Sequence, residues 1–191
     1  MNEKSPIEEH SYLRRLPPEA YRDYAVVHWS MTIEERKQGW LTELFHARFR
    51  ELLTHMAFRY HVICPSYVLM PDHLHLLLMG YHESSDQRVA MRYFRKQLNW
   101  VLRPEGFQLQ KQGYDHVLRE DSRKPSIFEK VAGYVQENPL RAGLVADYDE
   151  LPSYPFAGCL VPGYPELDVW TDEFWESFWK LYWLLREREK S

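Results

Sequence analysis

His73 and His75 flank a single leucine in an apolar run, and this spacing suits the binding of one divalent cation. Residues 73–81 are predicted to form a strand. Because successive side chains of a strand point to opposite faces, both imidazoles project from one face and Leu74 from the other. Two neighbouring imidazoles can ligate a divalent ion when a third ligand is supplied. Taken alone, the pair is better explained by hydrogen-bonded or surface histidines than by a metal site.

Tyr134 and Asn138 lie four residues apart in a segment predicted to be helical, so their side chains share one face. Ile127 and Val131 point roughly the same way, which predicts that this face packs against the sheet. Taken alone, Tyr134 is explained as a core tyrosine whose hydroxyl finds a buried partner. Asn138, directly before Pro139, is similarly explained as a residue that ends a helix.

The elements that must position these side chains follow from hydrophobic periodicity and from capping and turn residues. The predicted order is a strand at 24–33, a helix at 34–57, a hairpin of 61–70 and 73–81, a helix at 84–103, a strand near Gly113, a helix from Ser126 to about Glu137 and a last helix at 171–189. Ser84 or Ser85 is expected to cap the second helix, and Ser126 with Glu129 forms a capping-box pattern.

This order predicts an α+β fold, a ferredoxin-like antiparallel sheet with helices on one face, followed by a C-terminal helical extension. We expect residues 1–158 to form the main domain. Residues 159–191 are expected to form a loop and a Trp-rich helix that packs on it.

Composition fits a globular protein, with 45% hydrophobic and 15% aromatic residues. No run reaches the roughly 18 apolar residues of a membrane span, and the start of the chain shows no apolar stretch of signal-peptide length. Cys64 and Cys159 form no CxxC pair, which favours a reducing cytoplasm.

The net charge is −4, yet residues 45–145 hold 14 Lys/Arg against 10 Asp/Glu. The acidic excess therefore lies in the flanks, and a site that grips a few phosphates is compatible with the basic middle.

Two strings combine these residues into one pattern: YVLMPDHLHLLLMG at 67–80 and YVQENPLRAGLV at 134–145. Both closely resemble the REP-associated tyrosine transposases, which belong to the single-tyrosine transposases of the His-hydrophobic-His nuclease superfamily. Between the strings, YDHVLR at 114–119 resembles the strand that precedes the family's tyrosine helix. The resemblance spans roughly residues 20–158.

The resemblance implies that His73 and His75 ligate a divalent cation, Mg²⁺ or Mn²⁺, with Asn138 as a third ligand. Tyr134 would attack a phosphodiester of single-stranded DNA, leaving a 5′-phosphotyrosine link and a free 3′-hydroxyl. Imidazole and amide ligands suit Mn²⁺ somewhat better than Mg²⁺, whereas cellular abundance favours Mg²⁺.

The expected partner is single-stranded or hairpin DNA, and relatives in the wider superfamily make a homodimer an open possibility. Arg141 lies inside the second string and is the first candidate for a DNA contact. His116, Arg95 and Lys96 are further candidates, each of which also has a structural interpretation.

Two alternatives to the transferase remain open at the level of sequence. A domesticated DNA-binding regulator would keep the fold without transposition activity. A metal-dependent hydrolase of another substrate would use the histidine pair to activate water. The hydrolase also needs a carboxylate near the metal, for which Asp72 and Asp115 are candidates.

Overall fold

Hydrophobic alternation and helical periodicity divide the chain into the expected α+β succession of elements. The computed structural model describes residues 15–118, 125–165 and 167–188. Its strands and helices are β1 (Val26–Thr32), α1 (Glu43–Tyr60), β2 (Val62–Leu69), β3 (His73–Gly80), α2 (Gln87–Leu102), β4 (Tyr114–Val117), α3 (Pro125–Gln136), α4 (Asn138–Arg141), β5 (Ala157–Leu160) and α5 (Phe174–Arg188).

The strands form one antiparallel sheet in the order β4-β1-β3-β2-β5. The first four strands and the two helices between them follow the split βαβ connection of a ferredoxin-like fold. This confirms the predicted fold class. β5 extends the sheet beyond β2.

The β2–β3 hairpin forms as its short Pro-Asp link predicts, and the Met70 amide donates to the His73 carbonyl at 2.7 Å. The register of β2 shifts between Ile63 and Ser66 against β3, and between Cys64 and Tyr67 against β5. Pro65 lies inside this irregularity, and a proline cannot donate to a sheet ladder.

The two faces of the sheet are covered by different helices. Leu74, Leu76 and Leu78 of β3 belong to the apolar cluster that α1 and α2 form on one face. The two helices of the ferredoxin-like unit therefore share one face, as predicted. On the opposite face, Leu77 and Met79 belong to a second cluster with residues of α3 and α5.

Helix α1 begins later than the predicted 34–57 range, at Glu43. Thr42 is its N-cap, and the Thr42 hydroxyl accepts a hydrogen bond from the Phe45 amide at 3.1 Å. The preceding polar stretch includes Gly39, with φ of +100°, and cannot continue a helix. The apolar periodicity therefore belongs to a helix that starts where a hydroxyl can satisfy its free amides.

Helix α2 is capped by Asp86, so the prediction of Ser84 or Ser85 as its cap was wrong. The Asp86 carboxylate accepts from two backbone amides of the first turn, at 3.0 and 3.1 Å. Ser85 is buried, and its hydroxyl donates to the His61 carbonyl at 2.7 Å.

Helix α5 packs on the body through Phe174, Phe178 and Tyr182, which are buried in the cluster that contains Leu77 and Met79. Trp175 and Trp179 pack against the same cluster, whereas Trp183 is 53% exposed. Within the described residues, no helix is both long enough and apolar enough to traverse a bilayer.

Gly80 ends β3 where the backbone of another segment lies against it. A Cβ at this position would lie 1.9 Å from the Asp23 carbonyl oxygen. We expect Gly80→Ala to lower the free energy of unfolding by about 1–3 kcal/mol, the range of overpacking. The matched control is Gly133→Ala in α3, where an added Cβ meets nothing within 4 Å. Thermal or urea unfolding of both variants measures the effect, and equal stability of the two would contradict it.

His46 of α1 predicts a loss of stability in mild acid. Burial, with a smaller contribution from the Arg50 charge, lowers the pKa of His46 from 6.5 to about 4. The unfolded chain therefore binds this proton first, and stability present above pH 6.5 is lost as the pH falls toward 4. His46→Gln should make the free energy of unfolding less steeply dependent on pH in this window. An unchanged slope in urea titrations between pH 4 and 7 would contradict this assignment.

Candidate active site

The histidine pair lies on the face of the sheet opposite α1 and α2. The His73 and His75 ring centroids are 4.8 Å apart and their planes are nearly perpendicular, at 88°. Leu74 between them is fully buried on the other face. The prediction that alternation in the strand brings both imidazoles to one side is confirmed.

Each ring of the pair is held through its Nδ1 atom. His73 Nδ1 lies 2.6 Å from an Asp72 carboxylate oxygen, and His75 Nδ1 lies 3.1 Å from His28 Nε2. A carboxylate can only accept, so the His73 proton is on Nδ1 and its Nε2 carries the free lone pair. Metal-binding histidines commonly have this arrangement, with the second nitrogen bonded to a carboxylate or another acceptor.

Electrostatics keep two of these rings neutral. Burial lowers the pKa of His75 to about 3, with added repulsion from His28 and His73. Burial also lowers the pKa of His28 to about 4, with a smaller contribution from His116. Both rings are therefore unprotonated at neutral pH, the state that a metal ligand requires.

The Asp72 side chain is ionised and already engaged. Burial alone would raise its pKa, but hydrogen bonds from His73 and Arg36 outweigh burial and lower it. Arg36 donates to the second carboxylate oxygen at 2.8 Å. Asp72 therefore orients His73 from behind the ring.

His28 was not singled out from the sequence. It lies on β1, and its neighbours two and four residues further, Ser30 and Thr32, are the register partners of His75 and His73. The available signal was the alternation of polar residues 28, 30 and 32 with buried Trp29 and Met31 in one strand. That alternation shows a polar sheet face, but only the β1–β3 register shows which histidine it supports.

Helix α3 presents Tyr134 differently from the prediction. Phe128, Ala132 and Val135 are fully buried, whereas Ile127 is 38% exposed and Tyr134 52% exposed. The prediction that the Tyr134 face packs against the sheet was wrong. The buried stripe runs through 128, 132 and 135, because these side chains fill the apolar face of the sheet, and the phenol is left at the surface.

The tyrosine helix crosses the sheet next to the histidine pair. Val135 packs with Val68 in a small cluster. Val68 is the register partner of His75, and directly opposed residues share a face with their Cβ atoms about 5 Å apart. Ser66 fixes the crossing further, since its hydroxyl donates to the Ala132 carbonyl at 3.3 Å. Tyr134 directly precedes Val135, so it is adjacent in sequence to a residue that contacts β2, the strand next to that of His75.

Arg141 and Asn138 surround the Tyr134 backbone and ring. The Arg141 guanidinium lies 4.0 Å from the Tyr134 ring centroid and donates to the Tyr134 carbonyl at 2.9 Å. It also pairs with Glu137 at 2.6 Å. The Asn138 amide nitrogen donates to the carbonyls of Tyr134 and Val135, at 3.1 and 2.9 Å. Because carbonyls only accept, the Asn138 amide oxygen is the atom left to face another ligand.

His73 and His75 offer imidazole nitrogens and Asn138 an amide oxygen, and these are donor types that can ligate a divalent ion. Among the described residues, no group of three or more His, Cys, Asp or Glu side chains is arranged to hold a metal. A set of two imidazoles and one amide oxygen suits Mn²⁺ or Mg²⁺ completed by water or phosphate oxygens.

The other residues predicted to contact DNA lie on opposite faces of the sheet. His116 is exposed on β4, opposite His28 in the register, and so belongs to the histidine face. Arg95 and Lys96 belong to α2, which packs on the other face. Arg95 donates to the backbone carbonyls of Gln110 and Lys111, which gives it a structural role before β4.

Asp115 is not near the histidine pair. It is opposite Trp29 in the register and therefore points to the face covered by α2. There Asp115 accepts a hydrogen bond from Tyr21 and pairs with Arg15 at 3.0 Å. The carboxylates considered for water activation are thus occupied, Asp115 on the opposite face and Asp72 behind His73.

Comparison with known proteins reveals a similarity of fold. One similar solved structure is a REP-associated tyrosine transposase bound to a REP hairpin, with a TM-score of 0.61 and 17% sequence identity. The aligned region spans 77% of this chain and 81% of the transposase chain. Two structures of a bacterial tRNA(His) guanylyltransferase-like protein, with GTP and with ATP, have TM-scores of 0.41 and 0.38 at 14% identity and cover about 70% of the chain. No protein-family model matches the sequence, and the search of curated proteins finds no significant match. The fold neighbour is of the same family that the two sequence strings resemble.

Proposed function

We propose that this protein is a metal-dependent single-strand DNA endonuclease and strand transferase that acts on hairpin-forming repeats through a 5′-phosphotyrosine intermediate. The observation that carries the proposal is the packing of the Tyr134 helix beside His75. Both imidazoles are hydrogen-bonded through Nδ1, and the helix that packs on the neighbouring strand carries the exposed Tyr134 phenol. The fold neighbour, a tyrosine transposase solved with a DNA hairpin, supports the choice of substrate.

The proposed reaction uses Tyr134 as the nucleophile. Its Oη forms a bond to the scissile phosphorus while the bond from phosphorus to the 3′-oxygen breaks. The phenol loses one proton and the departing 3′-oxygen gains one, so the step needs no net acid or base. The phosphotyrosine retains the energy of the broken ester, and a 3′-hydroxyl can reverse the reaction and rejoin a strand without ATP.

His73, His75 and the Asn138 amide oxygen would hold the divalent cation. When bound, the cation neutralises charge on the scissile phosphate and favours departure of the 3′-oxygen. Asp72 and His28 hold the two rings through Nδ1, which reduces the side-chain entropy that the rings would lose on binding a cation.

Arg141 and His116 are proposed to contact the DNA at this face. The Arg141 guanidinium already stacks on the Tyr134 ring, at 4.0 Å, and has donors left for a phosphate next to the nucleophile. His116 is exposed on the edge strand β4, where a bound strand can reach it. The hydrolase alternative loses support because Asp72 and Asp115 are engaged elsewhere.

Removal of the Tyr134 hydroxyl tests the nucleophile. We expect Tyr134→Phe to form no covalent adduct with a single-stranded hairpin DNA in the presence of Mn²⁺, because the attacking oxygen is absent. Tyr148→Phe removes another exposed phenol and is the matched control. Adducts are measured on a denaturing gel, and DNA binding of both variants by fluorescence anisotropy.

Two results would contradict this prediction. Adduct formation by Tyr134→Phe at the wild-type rate assigns the nucleophile to another residue. DNA binding by the wild-type protein without any adduct, whatever metal is added, favours the regulator that lacks transferase chemistry.

His28 provides a test of the metal site. We expect His28→Phe to weaken Mn²⁺ binding about 10–100-fold, the usual effect of losing a residue that orients a metal ligand. His28→Gln retains a polar partner for His75 Nδ1 and should recover part of the affinity. His55→Phe on the exposed surface of α1 is the control. Isothermal titration with Mn²⁺ reads out the affinity, and identical affinities of His28→Phe and His55→Phe would disprove the role of His28.

A further inference from the structure

A basic pocket lies on the face of the sheet that α2 covers, next to edge strand β4. Its volume is about 220 Å³. The residues that line it are Arg15, Trp29, Arg88, Met91, Arg92, Arg95 and Lys111. Five of these seven residues are cationic, and among the described residues that line the pocket none is acidic. We call this feature the basic pocket.

Contacts with other described residues hold the cations of the basic pocket in place but neutralise them only in part. Arg95 is fixed by the carbonyls of Gln110 and Lys111. Arg15 pairs with Asp115 at 3.0 Å, just outside the lining. Arg88 lies over the Tyr21 ring, 5.7 Å from its centroid, a contact that positions the charge without cancelling it.

The cations of the basic pocket repel one another, and a bound anion would reduce this repulsion. Burial lowers the pKa of Arg95, and the nearby charge of Arg15 lowers it further. Arg92 and Lys111 are exposed at the mouth of the pocket, whereas Trp29 and Met91 are buried at its floor. A ligand that enters the pocket therefore meets the Arg92 guanidinium and the Lys111 ammonium before it meets the apolar floor.

The basic pocket and the histidine face lie on the two sides of the same edge strand. Asp115 points to the pocket side, where it holds Arg15, while the adjacent His116 belongs to the opposite face. β4 is the terminal strand of the sheet. A nucleic-acid strand that crosses this edge can therefore contact both faces.

We propose that the basic pocket binds backbone phosphates of the DNA whose scissile phosphate lies at the histidine face. Arginine forks match phosphate oxygens in bidentate geometry. A site built from such donors, with its aromatic residue buried in the floor, reads the backbone and not the bases. The identity of the ligand as DNA rests on the proposed function.

The test compares two double substitutions that remove the same charge. Arg88→Gln with Arg92→Gln removes two cations of the basic pocket. Arg48→Gln with Arg103→Gln removes two exposed cations of α1 and of the turn after α2 that do not line it. Binding of a hairpin DNA with single-stranded flanks is measured by anisotropy in the Tyr134→Phe background, at several salt concentrations.

We expect the pocket variant to bind about 10-fold more weakly near 0.1 M salt. The slope of log K against log salt should fall by about 1.4 for two lost phosphate contacts on a single strand. The loss should be the same for unrelated sequences, as for any phosphate contact. Arg92→Gln with Lys111→Gln repeats the test without touching the Arg88–Tyr21 contact, so that misfolding of the first variant cannot mimic the result.

Equal losses in the pocket and control variants would overturn the proposal, because they would show a general effect of net charge. Protection of the wild-type protein from thermal unfolding by tripolyphosphate, without any difference between variants in DNA binding, would assign the pocket to a free polyphosphate and would equally overturn it. Adduct formation by Tyr134 is assayed separately at saturating DNA. If no adduct forms but the pocket variant alone loses DNA binding, only the transferase proposal is refuted. If the adduct forms but the pocket and control variants bind DNA equally, only the pocket proposal is refuted.

Discussion

The site depends on the pairing of β1 with β3, which fixes how the histidines are oriented. This register places His28 within hydrogen-bond distance of His75, at 3.1 Å, while the hairpin link places Asp72 at His73. With His73 donating to Asp72 from Nδ1, and with the His75 tautomer that donates from Nδ1 to His28, both Nε2 lone pairs are open to a ligand. A slip of one residue would turn His28 to the apolar face and replace it by a core residue. The register of β1 against β3 therefore also determines the orientation of the His75 ring.

The proposed function also requires that Tyr134 is exposed although its helix packs on β2, the strand next to that of His75. Helix α3 achieves this through a narrow stripe, Phe128, Ala132 and Val135, that carries the burial. Tyr134 is adjacent to Val135 but turned toward solvent, where Arg141 stacks on it. Burial of the phenol would instead remove its hydroxyl from solvent. The structure therefore separates Val135, which anchors the helix, from Tyr134, which is exposed and is the nucleophile of the proposed function.

The acidic overall charge of the chain coexists with local concentrations of positive charge. The basic pocket on one face and Arg141 on the other lie within residues 15–145, where most of the described cations occur. Because interactions between exposed charges are screened within about 8–10 Å in physiological salt, local arrangement decides anion binding more than net charge does. A net charge of −4 is thus compatible with a nucleic-acid ligand.

Sequence alone was sufficient for the α+β class, for the hairpin that carries His73 and His75, and for their common face, because alternation and helical periodicity are local properties of the chain. It placed the start of α1 too early and missed Asp86 as a cap, since several polar residues compete for such positions and packing selects one. Only the tertiary structure brought His28 behind His75, turned Tyr134 outward and gathered Arg15, Arg88 and Lys111 into one pocket. These contacts join residues far apart in sequence, and they are decided by strand register and by which stripe of each helix fills the core, neither of which a local pattern specifies.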